Sequence, residues 1–208
     1  MKNLLNNSST HASANSHTNN SKEWVFIFLL TFIGLFLFVK AGNWWVDILF
    51  DKNIKLLITK HKGDIIDLDM PKDIDFEETL YVNSINFPQA DVLSHKQTGL
   101  IGYTLDFFMS LDSKFEVKQT QYFEFNIYSD DGFRLRIDNE VICEHIYNRP
   151  MQLSQCFKKL AQGTHHLQVD YYQGYGNLGL TAQYKLLNSD ELYYIGENSD
   201  SIKFIPWL

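Results

Sequence analysis

The chain of 208 residues has room for one folded domain with appendages, and a core of about 130 residues is large enough to fold alone. An aromatic share of 15%, carried mainly by 16 Phe and 11 Tyr, suits strands better than helices. The formal charge is −7 and no Lys/Arg cluster falls on any predicted strand face, which excludes the electrostatic footprint of a nucleic-acid-binding protein.

Residues 1–22 hold Asn, Ser, Thr and His with almost nothing apolar, so they read as a disordered polar tail. Its Asn-x-Ser triplets at Asn6, Asn7 and Asn19 matter only in a glycosylating lumen. From Trp24 to Val39 the chain is apolar except for Thr31 and Gly34. Sixteen residues make about 24 Å of helix, and extension past Lys40 to Val46 brings this to about 34 Å, against roughly 30 Å of hydrocarbon. Lys40 can snorkel, and Trp24, Trp44 and Trp45 mark the interfaces. The expectation is a transmembrane anchor over 23–46. A cleaved signal peptide at Val39-Lys40-Ala41 is the rival, opposed by the long polar leader. A literal count of flanking lysines favours a cytoplasmic body. The interspersed Asp47, Asp51 and Asp64, together with the cysteine usage, favour a cytoplasmic N-terminus and a periplasmic or extracellular body.

Residues 47–63 mix apolar and basic residues without clean spacing and read as a juxtamembrane stalk ending at Gly63. The acidic stretch 64–78 lacks the Gly and terminal Glu of a calcium loop and reads as a solvated segment. Strand patterns follow at 80–82, 100–111 and 114–118. Phe123, Phe125 and Ile127 then alternate with polar residues, as do Phe133, Leu135 and Ile137, with Ser129-Asp130-Asp131-Gly132 between them. This pattern predicts a hairpin whose Asp-Gly supplies positive φ. Further strands are expected at 141–143, 166–172 and 178–186, with 144–159 a loop and 191–208 a tail or edge strand around 192–195. Together they predict an all-β sandwich over 64–190 behind one N-terminal helix.

Cys143 and Cys156 are the only cysteines. If oxidised, they close a loop of about 14 residues, contribute about 3 kcal/mol, and fit an oxidising compartment. Two buried thiols in a reducing compartment are the alternative. A zinc site from these cysteines with His145, His165 and His166 is disfavoured, because adjacent strand residues point to opposite faces and no paired spacing occurs. No nucleophile elbow, phosphate-cradling Gly loop or second carboxylate pair supports catalysis, so a non-enzyme is expected.

Three blocks in order resemble the protective-antigen-type (PA-14) domain family: Gly99-Leu100-Ile101-Gly102-Tyr103, the run Tyr122 to Asp138 around Ser-Asp-Asp-Gly-Phe-Arg, and Leu160-x-x-Gly163-x-His165 leading to Val169-Asp170-Tyr171-Tyr172. That family includes flocculin and adhesin lectins as well as structural and toxin-processing modules. In its sugar-binding members, the resemblance implies, two Asp joined by a cis peptide chelate Ca²⁺ and a later loop completes the shell. Here these are Asp130 and Asp131, with Gln173, the Tyr175 carbonyl and Asn177. An all-oxygen set suits calcium and leaves positions for sugar hydroxyls. Without the resemblance, Asp-Asp-Gly also reads as an ordinary turn. Tyr128, Tyr147, Tyr172 and Tyr175 are candidates for stacking on a sugar, against the alternative of cross-strand packing. The expected function is a membrane-anchored, extracytoplasmic, calcium-dependent glycan-binding module. A structural or assembly module of an envelope complex, binding protein partners, is the alternative, and an accessory domain of a glycosidase is a third.

Overall fold

The computed structural model describes residues 52–207, together with Val25, Phe28, Leu29, Thr31 and Phe32, which are helical. Among the described residues no helix is long and apolar enough to cross a membrane. The expected tail, and the anchor apart from those five residues, lie outside the described residues. The chain divides into two compact units, Met1–Leu49 and Phe50–Leu208, and the second carries the fold.

That unit is built from strands β1 (Ile54–His61), β2 (Ile74–Val82), β3 (Asn86–Ala90), β4 (Ser94–His95), β5 (Gly99–Leu100), β6 (Phe107–Val117), β7 (Gln121–Asp130), β8 (Phe133–Ile137), β9 (Glu140–His145), β10 (Gln152–Leu160), β11 (Gly163–Gln173), β12 (Leu178–Leu186), β13 (Tyr193–Tyr194) and β14 (Ile202–Ile205). One sheet runs β2-β1-β6-β11-β8-β9, with β14 also on β6. The second runs β10-β7-β12-β13, with β3 also on β12. Every named strand pairing is antiparallel. The inner rows of both sheets, among them Leu56, Ile58, Leu111, Phe125, Ile127, Leu135, Val169 and Leu180, form one buried core.

The segment 47–63 is not a stalk along its length, because β1 lies between β2 and β6 and buries Ile54, Leu56, Ile58, Thr59 and His61. Its basic residues hid the alternation: Lys55 and Lys60 sit at half-buried positions between core residues. Nor are 100–111 and 114–118 separate strands. β6 passes through both, and the polar Ser113 in the gap between them is fully buried, donating its hydroxyl to the Asn53 carbonyl at 2.7 Å. The expected loop 144–159 contains β10, which buries only Cys156 and Leu160 and so shows little apolar period. Residues 191–208 contribute β13 at a sheet edge and, through β14, the buried Ile202 and Phe204. The sandwich therefore extends beyond 64–190 at both ends.

The largest departure concerns β7 and β8. They are not a hairpin: β7 pairs with β10 and β12 in one sheet, β8 with β9 and β11 in the other. Ser129 to Gly132 is a crossover between sheets. The same period-two pattern arises because each strand faces the core from its own side. The Asp130–Asp131 peptide is cis, and Gly132 is not among the positive-φ residues. A Cβ at Gly132 would lie 2.5 Å from Tyr172 Cε1 and 2.8 Å from the His145 carbonyl oxygen. Close approach, not backbone handedness, requires the glycine there.

The two sheets are also joined covalently, opposite Phe125 of β7 and Leu135 of β8. Cys143 on β9 and Cys156 on β10 form a disulfide with Cα atoms 5.9 Å apart. On the outer side of the larger sheet, Ile65 and Leu68 from the acidic stretch cover Phe108 and Tyr172 in a second buried cluster. That stretch is thus partly a packed lid, although β2 itself is exposed over 74–79.

Candidate functional site

The crossover places Asp130 and Asp131 side by side where β7 leaves one sheet and the chain enters the other. Both are buried, at 7% and 1% exposure. Burial pushes the Asp131 carboxyl up to about 6, and the neighbouring Asp130 charge adds to this against the opposing amides of Gly174 and Arg149. Burial likewise raises Asp130, opposed by the Met151 amide, the Gln89 side chain and the Arg149 charge.

The 173–177 loop is anchored to this pair. The Gly174 amide donates to Asp131 Oδ2 at 2.8 Å. A Cβ on Gly174 would meet the Ile65 carbonyl oxygen at 2.6 Å, so the loop reaches the carboxylate only with glycine there. Beneath it, the buried Tyr171 hydroxyl lies between the Asp130 carbonyl and Gln173 Oε1, the latter at 2.8 Å, and accepts the Gly179 amide at 3.3 Å. Gln173 Nε2 donates to the Asn177 carbonyl at 3.0 Å.

These bonds revise two of the expected roles. Gln173 is fully buried with both ends of its amide engaged, so it braces the loop and does not offer a free oxygen. Tyr172 is fully buried, its hydroxyl donating to the Ile66 carbonyl at 3.1 Å, and it presents no face to a ligand. Sequence alternation suggested that only one of Tyr171 and Tyr172 faces inward. The lid over 64–70 covers the other. Tyr147 and Tyr175 remain open, at 61% and 73% exposure, with Tyr128 at 36%. Asn177 is exposed.

Arg149 is the residue that sequence reasoning missed. It is 8% exposed, donates Nη2 to Ser129 Oγ at 2.8 Å and Nη1 to Ser154 Oγ at 3.0 Å, and lies over the Phe133 ring at 5.3 Å. Gln89 on β3 was also missed, and donates Nε2 to Asp130 Oδ2 at 3.3 Å. An arginine before a proline in a predicted loop carries no sign of burial. Its burial arises only because β10 folds back beside β7.

The donor chemistry fits a hard cation at the two carboxylates: the Arg149 guanidinium is bonded to Ser129 and Ser154, and its charge bears on Asp130 without an ion pair to either Asp. It fits less fully at the loop, where the exposed Asn177 and the Tyr175 carbonyl remain as oxygen donors and Gln173 does not. Among the described residues no group of three or more His, Cys, Asp or Glu side chains could hold a metal. Of the histidines considered for zinc, two are engaged separately, His165 Nδ1 with Asp138 at 2.6 Å and His166 Nε2 with Asp112 at 2.8 Å, and both cysteines are taken by the disulfide.

No protein-family profile matches the chain, and no curated protein sequence matches it. Solved structures do resemble it. The PA14 domain of the antifreeze protein MpAFP aligns with a TM-score of 0.56 at 8% identity, over 70% of this chain and 87% of that one. The PA14 sugar-binding domain of an RTX adhesin gives 0.56 at 13% identity, over 69% and 95%. The Epithelial Adhesin 9 A domain from Candida glabrata, solved with Galβ1-3GlcNAc, gives 0.51 at 10% identity, over 74% and 89%. The chain therefore has a PA14-like fold.

Proposed function

We propose that the protein is a calcium-dependent carbohydrate-binding module, anchored in a membrane through residues 23–46 and displayed outside the cytoplasm. The observation that carries this reading is the pair of buried adjacent carboxylates at the crossover, of which only Asp130 feels a neighbouring cationic charge, that of Arg149. Two such charges are costly to bury without a further counter-charge. The sugar-binding RTX adhesin domain and the glycan-bound Candida adhesin share the fold and support the ligand class.

Bound calcium would supply open coordination positions for vicinal hydroxyls. The chain's own residues prepare the place. Asp130 and Asp131 hold the negative charge, Gly174 N–H fixes the rotamer of Asp131, and the Tyr171–Gln173 brace sets the height of the 174–177 loop. Asn177 and the Tyr175 carbonyl offer neutral oxygens. Tyr147 and Tyr175 expose ring faces that can cover the apolar side of a pyranose. Nothing in this arrangement breaks a bond.

A glycan array probed with the full chain in detergent, with millimolar calcium and again with chelator, tests this reading. Calcium-dependent binding to a defined set of glycans is the expected result, and identical profiles in both buffers would reject it. The second reading, a non-catalytic assembly module, is favoured by the open strand edge described next.

A further inference from the structure

Among the described residues β2 is an outermost strand of the seven-stranded sheet, paired with β1 along one side only. It is nine residues long and exposed from Ile74 to Thr79, with Ile74 at 44% and Phe76 at 49%. Its free side presents a row of backbone N–H and C=O groups. Edge strands are ordinarily protected by charge, Pro or a short length; β2 contains no Lys or Pro, and its charges are the carboxylates Asp75, Glu77 and Glu78, which repel another acidic strand and attract a basic one.

The two faces of this strand differ. Phe76, Glu78 and Leu80 lie opposite Lys60, Ile58 and Leu56 of β1, which places them on the core side with Ile74. Beside them runs an open groove lined by Phe76, Glu78, Ile101, Tyr103 and Leu105. Phe76 and Tyr103 have ring centroids 6.0 Å apart, and the Tyr103 hydroxyl ties Glu78 at 3.0 Å. The opposite face carries Asp75 and Glu77. Only one oxygen of Glu77 is engaged, by Thr59 at 2.9 Å.

We propose that the open edge of β2 docks an extended segment of a partner protein in which apolar residues alternate with lysine or arginine. An added strand has period two, so its alternate side chains fall on the two faces separately. Apolar side chains would extend the core-side row over the groove. Cations would stand at cross-strand distance from Asp75 and Glu77. A second copy of this chain is the poorer occupant, because antiparallel pairing of two β2 strands sets acidic faces against each other. The proposal does not depend on calcium or on a glycan.

The test is fluorescence anisotropy of a labelled nine-residue peptide alternating Lys and Val, titrated with the full chain in detergent. A second peptide of the same sequence is N-methylated along its whole backbone, which keeps its charge and removes its amide donors. The first peptide is expected to bind, and the methylated one to bind at least tenfold more weakly. Asp75→Lys with Glu77→Lys should weaken the first peptide at least tenfold and admit its Glu/Val counterpart. Should that variant fail to fold, the two-peptide comparison on the unaltered chain still decides. Equal binding of both peptides would overturn strand addition in favour of plain charge attraction. No binding at all would show the edge filled by the chain itself, and peptide-free dimerisation abolished by the double substitution would assign it to a second copy. Either result rejects the proposal.

Discussion

The Gly174 amide donates to Asp131 Oδ2 at 2.8 Å, joining the loop after β11 to the crossover between β7 and β8. This bond brings residues 43 positions apart into one site. If that site holds calcium, the ion stabilises the folded chain by mass action, about 2.7 kcal/mol at a hundredfold excess over its dissociation constant. Melting curves should rise by several degrees in millimolar calcium, and Asp131→Asn should abolish the rise. An unaltered curve with and without chelator would leave only the scaffold.

The Asp131 carboxyl, pushed up to about 6 from 3.8, makes the site pH-sensitive. A raised folded-state pKa contributes stability that is fully present below about pH 4 and lost as pH rises through about 6. In chelator, stability should therefore fall across that window, and Asp131→Asn should flatten the slope. Calcium needs the ionised form, so its stabilisation should run the other way, present at pH 7.5 and gone at pH 5. Thermal melts at these pH values, with and without calcium, read both signs. A parallel response in the two buffers would separate Asp131 from the ion.

Tyr147 and Tyr175 are open while Tyr172 is buried, so their substitutions should divide. Tyr147→Ala and Tyr175→Ala are expected to change stability by less than about 0.5 kcal/mol while lowering glycan affinity several-fold. Tyr172→Phe removes the hydroxyl that donates to the Ile66 carbonyl. It should cost about 1 kcal/mol of stability and leave affinity unchanged. Denaturant titration paired with glycan binding distinguishes the two classes.

The Cys143–Cys156 bridge crosses from one sheet to the other. Replacing both cysteines by serine should cost about 3 kcal/mol, the conformational entropy that closing a loop of about 14 residues removes from the unfolded chain. Urea unfolding of the double variant measures it. A loss below about 0.5 kcal/mol would mean that the packing of β9 against β10 suffices alone.

Gly132→Ala forces a methyl group to within 2.5 Å of the Tyr172 ring and 2.8 Å of the His145 carbonyl oxygen. Overpacking of this kind costs roughly 1–3 kcal/mol. The crossover must shift to relieve it, so calcium-dependent stabilisation should weaken in the same variant. Wild-type behaviour in both measurements would show that the crossover has slack.

The strands and the site differ in how far they could be read beforehand. Period-two runs through Phe123–Ile127, Phe133–Ile137 and Leu178–Leu186 mark strands because a half-buried strand must alternate, wherever it pairs. Two cysteines at a closable spacing allowed a disulfide without deciding between it and two thiols, and the fold brings them together. The adjacent carboxylates drew notice through the resemblance and because like charges held side by side call for a cation; that both are buried came only with the fold. The resemblance of three ordered blocks led to the PA14-like sandwich, although no protein-family profile matches the chain.

Pairing was not legible. A strand facing the core from the left sheet and one facing it from the right sheet have the same alternation, so β7 and β8 looked like a hairpin although they belong to different sheets. β1 was mistaken for a stalk because Lys60 continues its core row and Lys55 lies on the other face, so the apolar alternation breaks off after Ile58. Gln173 and Tyr172 changed roles once their neighbours were fixed: a buried tyrosine hydroxyl occupies the one, and the lid over 64–70 covers the other. Arg149, unremarkable in the chain, became the counter-charge of the site. Composition and period dictate that these residues form strands around a core. Which strands become neighbours, and hence which oxygens and charges meet at Asp130 and Asp131, depends on contacts between residues tens of positions apart, whose energies no local pattern records.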